Sequence, residues 1–194
     1  MVRSGVSSRE DTDIIEGGGF FVSKTISALF VCSAVCMALL STACSNRPSA
    51  SRGSAKGKTA PEFALKDANG QTVHLADYKG KVVLLDFWAT WCGPCKIEIP
   101  WFMDFEQTYK DKNFAVLGVS LDEDGWSAVK PYIDGRRINY RVMVGNDDVA
   151  QLYGAASLPT TFIIDRSGRI AATHVGLCSK GEYEADVKAV LNEQ

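Results

Sequence analysis

The sequence predicts a three-layer α/β/α sandwich built on a mixed central sheet, and three observations predict it. Residues 81–88 and 114–121 are nearly continuous apolar runs, rich in Val and Leu, as strands covered on both faces are. An amphipathic segment lies between them, and strand–helix–strand at this spacing makes a right-handed crossover and a parallel pair. Residues 160–165 and 169–175 flank the turn Arg166-Ser167-Gly168, which makes the other half of the sheet antiparallel.

The elements follow in order. Residues 63–66 and 71–75 read as strands around Asp67-Ala68-Asn69-Gly70, and Asn-Gly is a strong hairpin signal. His74 falls on the solvent side of the second of these strands. The central strand at 81–88 comes next. A helix from Pro94 to about Lys110 turns Ile97, Ile99, Trp101, Phe102 and Phe105 inward. Pro100 lies inside it and predicts a kink, because it lacks the N–H that bonds one turn back. After the strand at 114–121, residues 126–133 read as a helix and 141–144 as a short strand. Asp147 then caps a short helix through Tyr153. The antiparallel pair follows, and a closing helix over 182–191 directs Tyr183, Val187, Val190 and Leu191 inward. There is no internal repeat.

At 194 residues the chain holds one globular domain plus extra segments, and a 46% hydrophobic fraction is ample for a core. The net charge of −2 gives no electrostatic case for nucleic acid. The six cysteines are not spread as a disulfide scaffold would spread them. Cys32, Cys36 and Cys44 sit in or just after an apolar stretch at 26–43, Cys92 and Cys95 sit together, and Cys178 stands alone.

The apolar stretch follows Lys24 and closes on Ser41-Thr42-Ala43, as a signal peptide does. Cleavage before Cys44 would leave that residue to be acylated, although Ser41 stands where such signals usually carry Leu. An uncleaved anchor and plain secretion are the other two readings, and all three place the domain outside the cytoplasm. The acidic residues Glu10, Asp11, Asp13 and Glu16 do not suit a signal, so residues 1–21 are expected to lie before the true start, with Val22 read as initiator. The division is therefore 1–43 as signal or anchor, 44–59 as a Ser-, Gly- and Lys-rich flexible tether, and 60–194 as the folded domain.

The chemistry lies in Trp91-Cys92-Gly93-Pro94-Cys95. A buried strand precedes it and a helix follows, so the first thiol stands at a helix amino end, where free N–H groups and the helix dipole favour an anion. The thiolate is the reactive form, and the second thiol is near enough to resolve a mixed disulfide. This spacing in this context points to thiol–disulfide exchange. Half of a zinc site and a structural disulfide are the alternatives; zinc would need two more ligands, and His74, His174 and Cys178 are scattered. No metal and no organic cofactor is expected. Asp86 interrupts the apolar central strand, where burial would raise its pKa; the alternative is a polar rim position. Glu98 shares a helix face with Cys95; the alternative is an exposed charge in the first turns.

With those residues in place, the sequence resembles the thioredoxin superfamily. The carriers are Phe87-Trp88-Ala89 with Trp91-Cys92-Gly93-Pro94-Cys95-Lys96, and Leu158-Pro159-Thr160-Thr161-Phe162. Ala60-Pro61-Glu62-Phe63, Glu98-Ile99-Pro100, the insertion after Leu121 and the signal or anchor narrow the likeness to the membrane-tethered TlpA/ResA branch. The resemblance implies a thioredoxin-like fold with an N-terminal β-hairpin and an inserted α/β segment. It implies that Cys92 attacks, that Cys95 resolves, and that the two form a redox disulfide. It also implies a cis bond before Pro159, a substrate surface made by Trp91, Gly93, Pro94, Leu158 and Pro159, and Asp86 as proton acceptor for Cys95. A glutamate at the place of Glu98 tunes thiol acidity in that branch.

The implied partners are disulfide-containing exported proteins, apocytochrome c among them, and a membrane thiol donor of the DsbD or CcdA kind. A monomer is expected. The chain departs from cytoplasmic thioredoxins in having Gly118 on the neighbouring strand, where those carry a lysine near the aspartate. Two other readings stay open. A peroxiredoxin would carry T-x-x-C, whereas Thr90-Trp91-Cys92 is one residue short. A tethered, non-catalytic module would hold client cysteines without reducing them.

Overall fold

A computed structural model describes residues 57–193. The signal or anchor, the tether up to residue 56, Cys44 and the start at Val22 lie outside the described residues.

The five-stranded sheet has the order β5-β4-β3-β6-β7. Its members are β3 (Val82–Trp88), β4 (Phe114–Ser120), β5 (Arg141–Val144), β6 (Thr160–Ile164) and β7 (Ile170–Val175). The expected mixture is present. β3 pairs parallel with β4 and β4 with β5, while β6 runs antiparallel to both β3 and β7. Every residue of β3, β4 and β6 is buried, which is why these stretches show no polar alternation.

Because side chains alternate across a strand, β3 feeds two cores. Val82, Leu84 and Trp88 face helix α1 (Cys95–Tyr109) and helix α4 (Lys180–Asn192), packing with Ile99, Phe102, Phe105, Tyr183 and Val187. Val83, Leu85 and Phe87 face the opposite way, against Phe63, Val73, Val149, Tyr153 and Phe162. That second layer is made by the hairpin β1 (Ala64–Lys66) and β2 (Thr72–His74) together with the short helix α3 (Asp147–Tyr153). Pairing of Ala64 with His74 and Lys66 with Thr72 sets the hairpin register, and Gly70 turns it at φ 76°. His74 is exposed, as its strand position predicts.

Several boundaries differ from the expectation. Helix α1 includes Pro100 and spans Cys95–Tyr109, one residue inside the expected bounds at each end. Helix α2 (Trp126–Arg136) runs three residues past Ile133, and Arg137 ends it in a left-handed conformation at φ 55°. The cap of α3 is Asn146 rather than Asp147: the Asn146 side chain accepts from the Val149 N–H at 3.1 Å. The closing helix starts at Lys180, ahead of Glu182, because Ser179 and Glu182 form a capping box. Among the described residues, backbone pairing reaches back to residue 57: Gly57 N–H donates to the Ile170 carbonyl and Ile170 N–H to the Lys58 carbonyl. Such pairing uses only backbone groups, so side-chain composition does not announce it.

Candidate active site

The carboxyl end of β3 delivers Ala89, Thr90 and Trp91 to the edge of the sheet, and the first turn of α1 follows at once. Cys92 and Cys95 form a disulfide across this junction, with S–S 2.00 Å and Cα atoms 5.4 Å apart. The Cys95 N–H, a first-turn donor of α1, points to Cys92 Sγ at 3.2 Å. A thiolate on Cys92 would therefore receive a helix N–H hydrogen bond and the positive end of the dipole. Cys95 is fully enclosed, whereas Trp91, Gly93 and Pro94 are exposed around the pair.

The approach to the motif is held by Asp122, a residue that sequence reasoning did not single out. Its carboxylate accepts from the Thr90 N–H at 2.9 Å, the Thr90 hydroxyl at 2.5 Å and the Ser120 hydroxyl at 2.7 Å. Asp122 is buried, so these charge-assisted bonds fix the loop rather than merely decorate it. The one clue in the sequence is an acidic residue two positions past the end of β4.

Opposite the motif, the Leu158–Pro159 peptide bond is cis, as the resemblance implied. Gly176 N–H donates to the Pro159 carbonyl at 2.8 Å, which ties that loop to the end of β7. The flanking Val175 and Leu177 are exposed, and so is Ile97 on α1.

Beneath the disulfide lies a pair of acids. Asp86 and Glu98 are both 0% exposed, so Asp86 is no rim residue and Glu98 no surface charge. Asp86 sits on the β3 face that packs against α1, because it keeps the parity of Leu84 and Trp88. Its Oδ1 accepts from the Thr161 hydroxyl at 3.2 Å. Glu98 Oε2 accepts from the Tyr183 hydroxyl at 2.8 Å. The remaining oxygens, Asp86 Oδ2 and Glu98 Oε1, are buried with no hydrogen-bond donor among the described residues, and the two carboxyls lie close enough to interact with each other. Two carboxylate oxygens pair only with a proton between them. Burial pushes both pKa values well above the ordinary range, and the negative charge of Asp86 pushes Glu98 further. The pair therefore holds a proton at neutral pH.

Gly118 stands opposite Asp86 in the β3–β4 register. A Cβ there would come within 3.0 Å of Trp88 Nε1 and 3.1 Å of the Tyr140 ring, so those side chains fill the space a longer residue would need. The group facing Asp86 is a second acid, not a cation. Tyr183 and Thr161 complete this site, yet in sequence they read only as core and strand residues. Their hydroxyls gain meaning from what lies across the sheet. Of the residues expected to act, Cys92, Cys95, Asp86 and Glu98 are brought to one side of β3. Among the described residues no group of three or more His, Cys, Asp or Glu side chains is placed to hold a metal ion.

Comparisons with known proteins agree with this geometry. The sequence profile of the AhpC/TSA family matches residues 56–173. The thiol-disulfide oxidoreductase ResA of Bacillus anthracis is 33% identical over 135 residues, covering 69% of this chain and 78% of the relative. The thioredoxin-like protein YneN of Bacillus subtilis (strain 168) is 37% identical over 134 residues, covering 68% and 78%. Among solved structures, a thiol:disulfide interchange protein from Chlorobium tepidum assigned as DsbE superposes with a TM-score of 0.67 at 37% identity, covering 71% of this chain and 98% of that one. The exposed lipoprotein thioredoxin Etrx1 of Streptococcus pneumoniae strain TIGR4 gives 0.60 at 30% identity, covering 66% and 99%. A disulfide at a strand–helix junction, a cis proline loop and this degree of likeness lead to one conclusion: the chain belongs to the thioredoxin-fold thiol-disulfide oxidoreductases related to ResA, DsbE and TlpA.

Proposed function

We propose that this oxidoreductase works on the outer side of a membrane, to which its N-terminal segment tethers it, and reduces disulfides of exported proteins. The single observation that carries the reading is the Cys92–Cys95 disulfide with a helix N–H on Cys92 Sγ and a buried acid pair on the same face. Cys92 thiolate attacks a client disulfide, forming a mixed disulfide and releasing one client thiolate. Cys95 gives its proton to Asp86, attacks Cys92 Sγ, and expels the second client thiolate. Two electrons pass from the protein's dithiol to the client. A membrane thiol donor of the DsbD or CcdA kind then restores the dithiol.

Trp91, Gly93, Pro94, Leu158 and Pro159 form the client surface, since the first three are exposed beside Cys92. Gly93-Pro94 favours the reducing direction, as in thioredoxins. Exported apocytochrome c is one client class that the sequence resemblance implies. Acylation at Cys44 is supported by the likeness to an exposed lipoprotein thioredoxin.

Cys95→Ser tests the reading. That variant is expected to accumulate a mixed disulfide through Cys92 with its client in intact cells, and the adduct identifies the client and the direction. An enzyme whose peroxidase rate is independent of Cys95, or adducts found only with cytoplasmic proteins, would overturn it.

A further inference from the structure

Cys178 and His174 have no part in the exchange cycle, yet both are buried and both belong to one polar seam between the sheet and α4. The seam begins at Asp186, whose side chain is 24% exposed and so meets water. Asp186 Oδ2 lies 2.9 Å from His174 Nε2. His174 Nδ1 lies 3.4 Å from Cys178 Sγ. The Tyr183 ring packs on the His174 ring at 4.7 Å between centroids, and Tyr183 shares one buried cluster with Cys178 and interacts with its thiol. The Tyr183 hydroxyl donates to Glu98, which interacts with the buried Asp86 carboxyl. An imidazole, a thiol, a phenol and two carboxyls can each accept one proton while passing on another.

We propose that Asp186, His174, Cys178 and Tyr183 form a proton route from water at α4 to the Glu98–Asp86 pair beneath the disulfide. The proposal rests on the reading of Asp86 as the proton partner of Cys95. The need for such a route is specific. When the disulfide is reduced, Cys95 leaves as a thiolate and takes a proton from the pair. At that moment the attacking sulfur is bonded to Cys92, and Cys95, Asp86 and Glu98 are all 0% exposed, so the pair is reloaded through the protein and not directly from solvent. With Tyr183 donating to Glu98 Oε2, the seam is polarised for inward delivery. Tyr183 gives its proton to Glu98 and takes one from Cys178, Cys178 takes one from His174, and His174 takes one from Asp186, which takes one from water. One proton enters and one reaches Cys95 Sγ, and no electrons move along the seam. Burial and the nearby charges of Glu182, Glu98 and Asp186 keep the Cys178 thiol protonated, which suits a relay and not a nucleophile.

The test is the rate of reduction of the oxidised, full-length protein by dithiothreitol, followed by stopped-flow tryptophan fluorescence from pH 5.5 to 8.5 in H2O and D2O. Cys178→Ala and His174→Gln are expected to slow reduction by about a hundredfold or more, the low end of what a proton-transfer group contributes. Both are expected to leave the redox equilibrium with glutathione unchanged, since a relay alters the rate and not the end states. Cys178→Ser, which restores a donor and acceptor, is expected to recover the rate to within about twofold, a small fraction of that effect. Wild-type rate and isotope effect in Cys178→Ala would overturn the proposal. So would equal slowing in Cys178→Ser, which is the mark of a packing role. Asp86→Asn separates the two readings. If it slows reduction and Cys178→Ala does not, only the route fails; if Asp86→Asn has no effect, the acid pair is not the proton partner and both fail.

Discussion

Replacing Asp86 by Asn should make this protein more stable at neutral and alkaline pH, and hardly change it in acid. The Asp86 side chain is fully buried, and burial raises its pKa from the ordinary 3.8 to about 7. Over that window the folded carboxyl keeps a proton that the unfolded chain has lost. The folded state thus binds more protons, and stability falls as pH rises from about 4 to about 7, then levels off. At 1.36 kcal/mol per pKa unit, the loss amounts to about 4 kcal/mol at pH 8. Asparagine keeps the shape: its carbonyl can accept from the Thr161 hydroxyl as Asp86 does at 3.2 Å, and its amide can donate to Glu98. It carries no charge to desolvate. The variant is therefore expected to gain about 2 to 4 kcal/mol at pH 8 and almost nothing at pH 4, the spread allowing for relaxation around the site. Urea unfolding of the oxidised protein across this range measures the difference. A pH-independent change, or a loss of stability at pH 8, would refute the claim that Asp86 is a buried acid held near neutrality.

Other consequences are open to simple measurements. Tyr183→Phe removes the donor to Glu98 Oε2 and leaves a buried carboxyl oxygen unpaired, so it should cost about 1 to 3 kcal/mol in urea unfolding at pH 6. Gly118→Ala puts a Cβ 3.0 Å from Trp88 Nε1 and 3.1 Å from the Tyr140 ring, and overpacking of this kind should lower stability by about 1 to 3 kcal/mol. Trp91→Ala removes a side chain that is 68% exposed. Its unfolding free energy should stay within about 0.5 kcal/mol of the parent. Its kcat/KM on a disulfide-bonded protein substrate should fall, and an unchanged value would remove Trp91 from the client surface.

The sheet was legible because burial on both faces leaves an unbroken apolar run, and β3 and β4 are such runs. Cys92 and Cys95 were legible because two cysteines at a strand–helix junction are a local pattern. The cap at Asn146 was missed because adjacent Asn and Asp residues both suit the role, and only the backbone turn selects one. Glu98 was ambiguous for a deeper reason. In the first turns of a helix a glutamate suits solvent and the dipole alike, and nothing nearby in sequence says which face meets β3.

The residues alone settled a two-sided sheet, a paired thiol at a helix start and one acid inside the central strand, since each is a matter of neighbours along the chain. Folding decided that Glu98 faces Asp86, that Tyr183 reaches Glu98 from 85 positions away, and that His174, Cys178 and Asp186 meet beside them. The cause is the same throughout: polar groups shut away from water must pair with whatever the packing of α1 and α4 on the sheet brings within reach, and that choice is made in three dimensions.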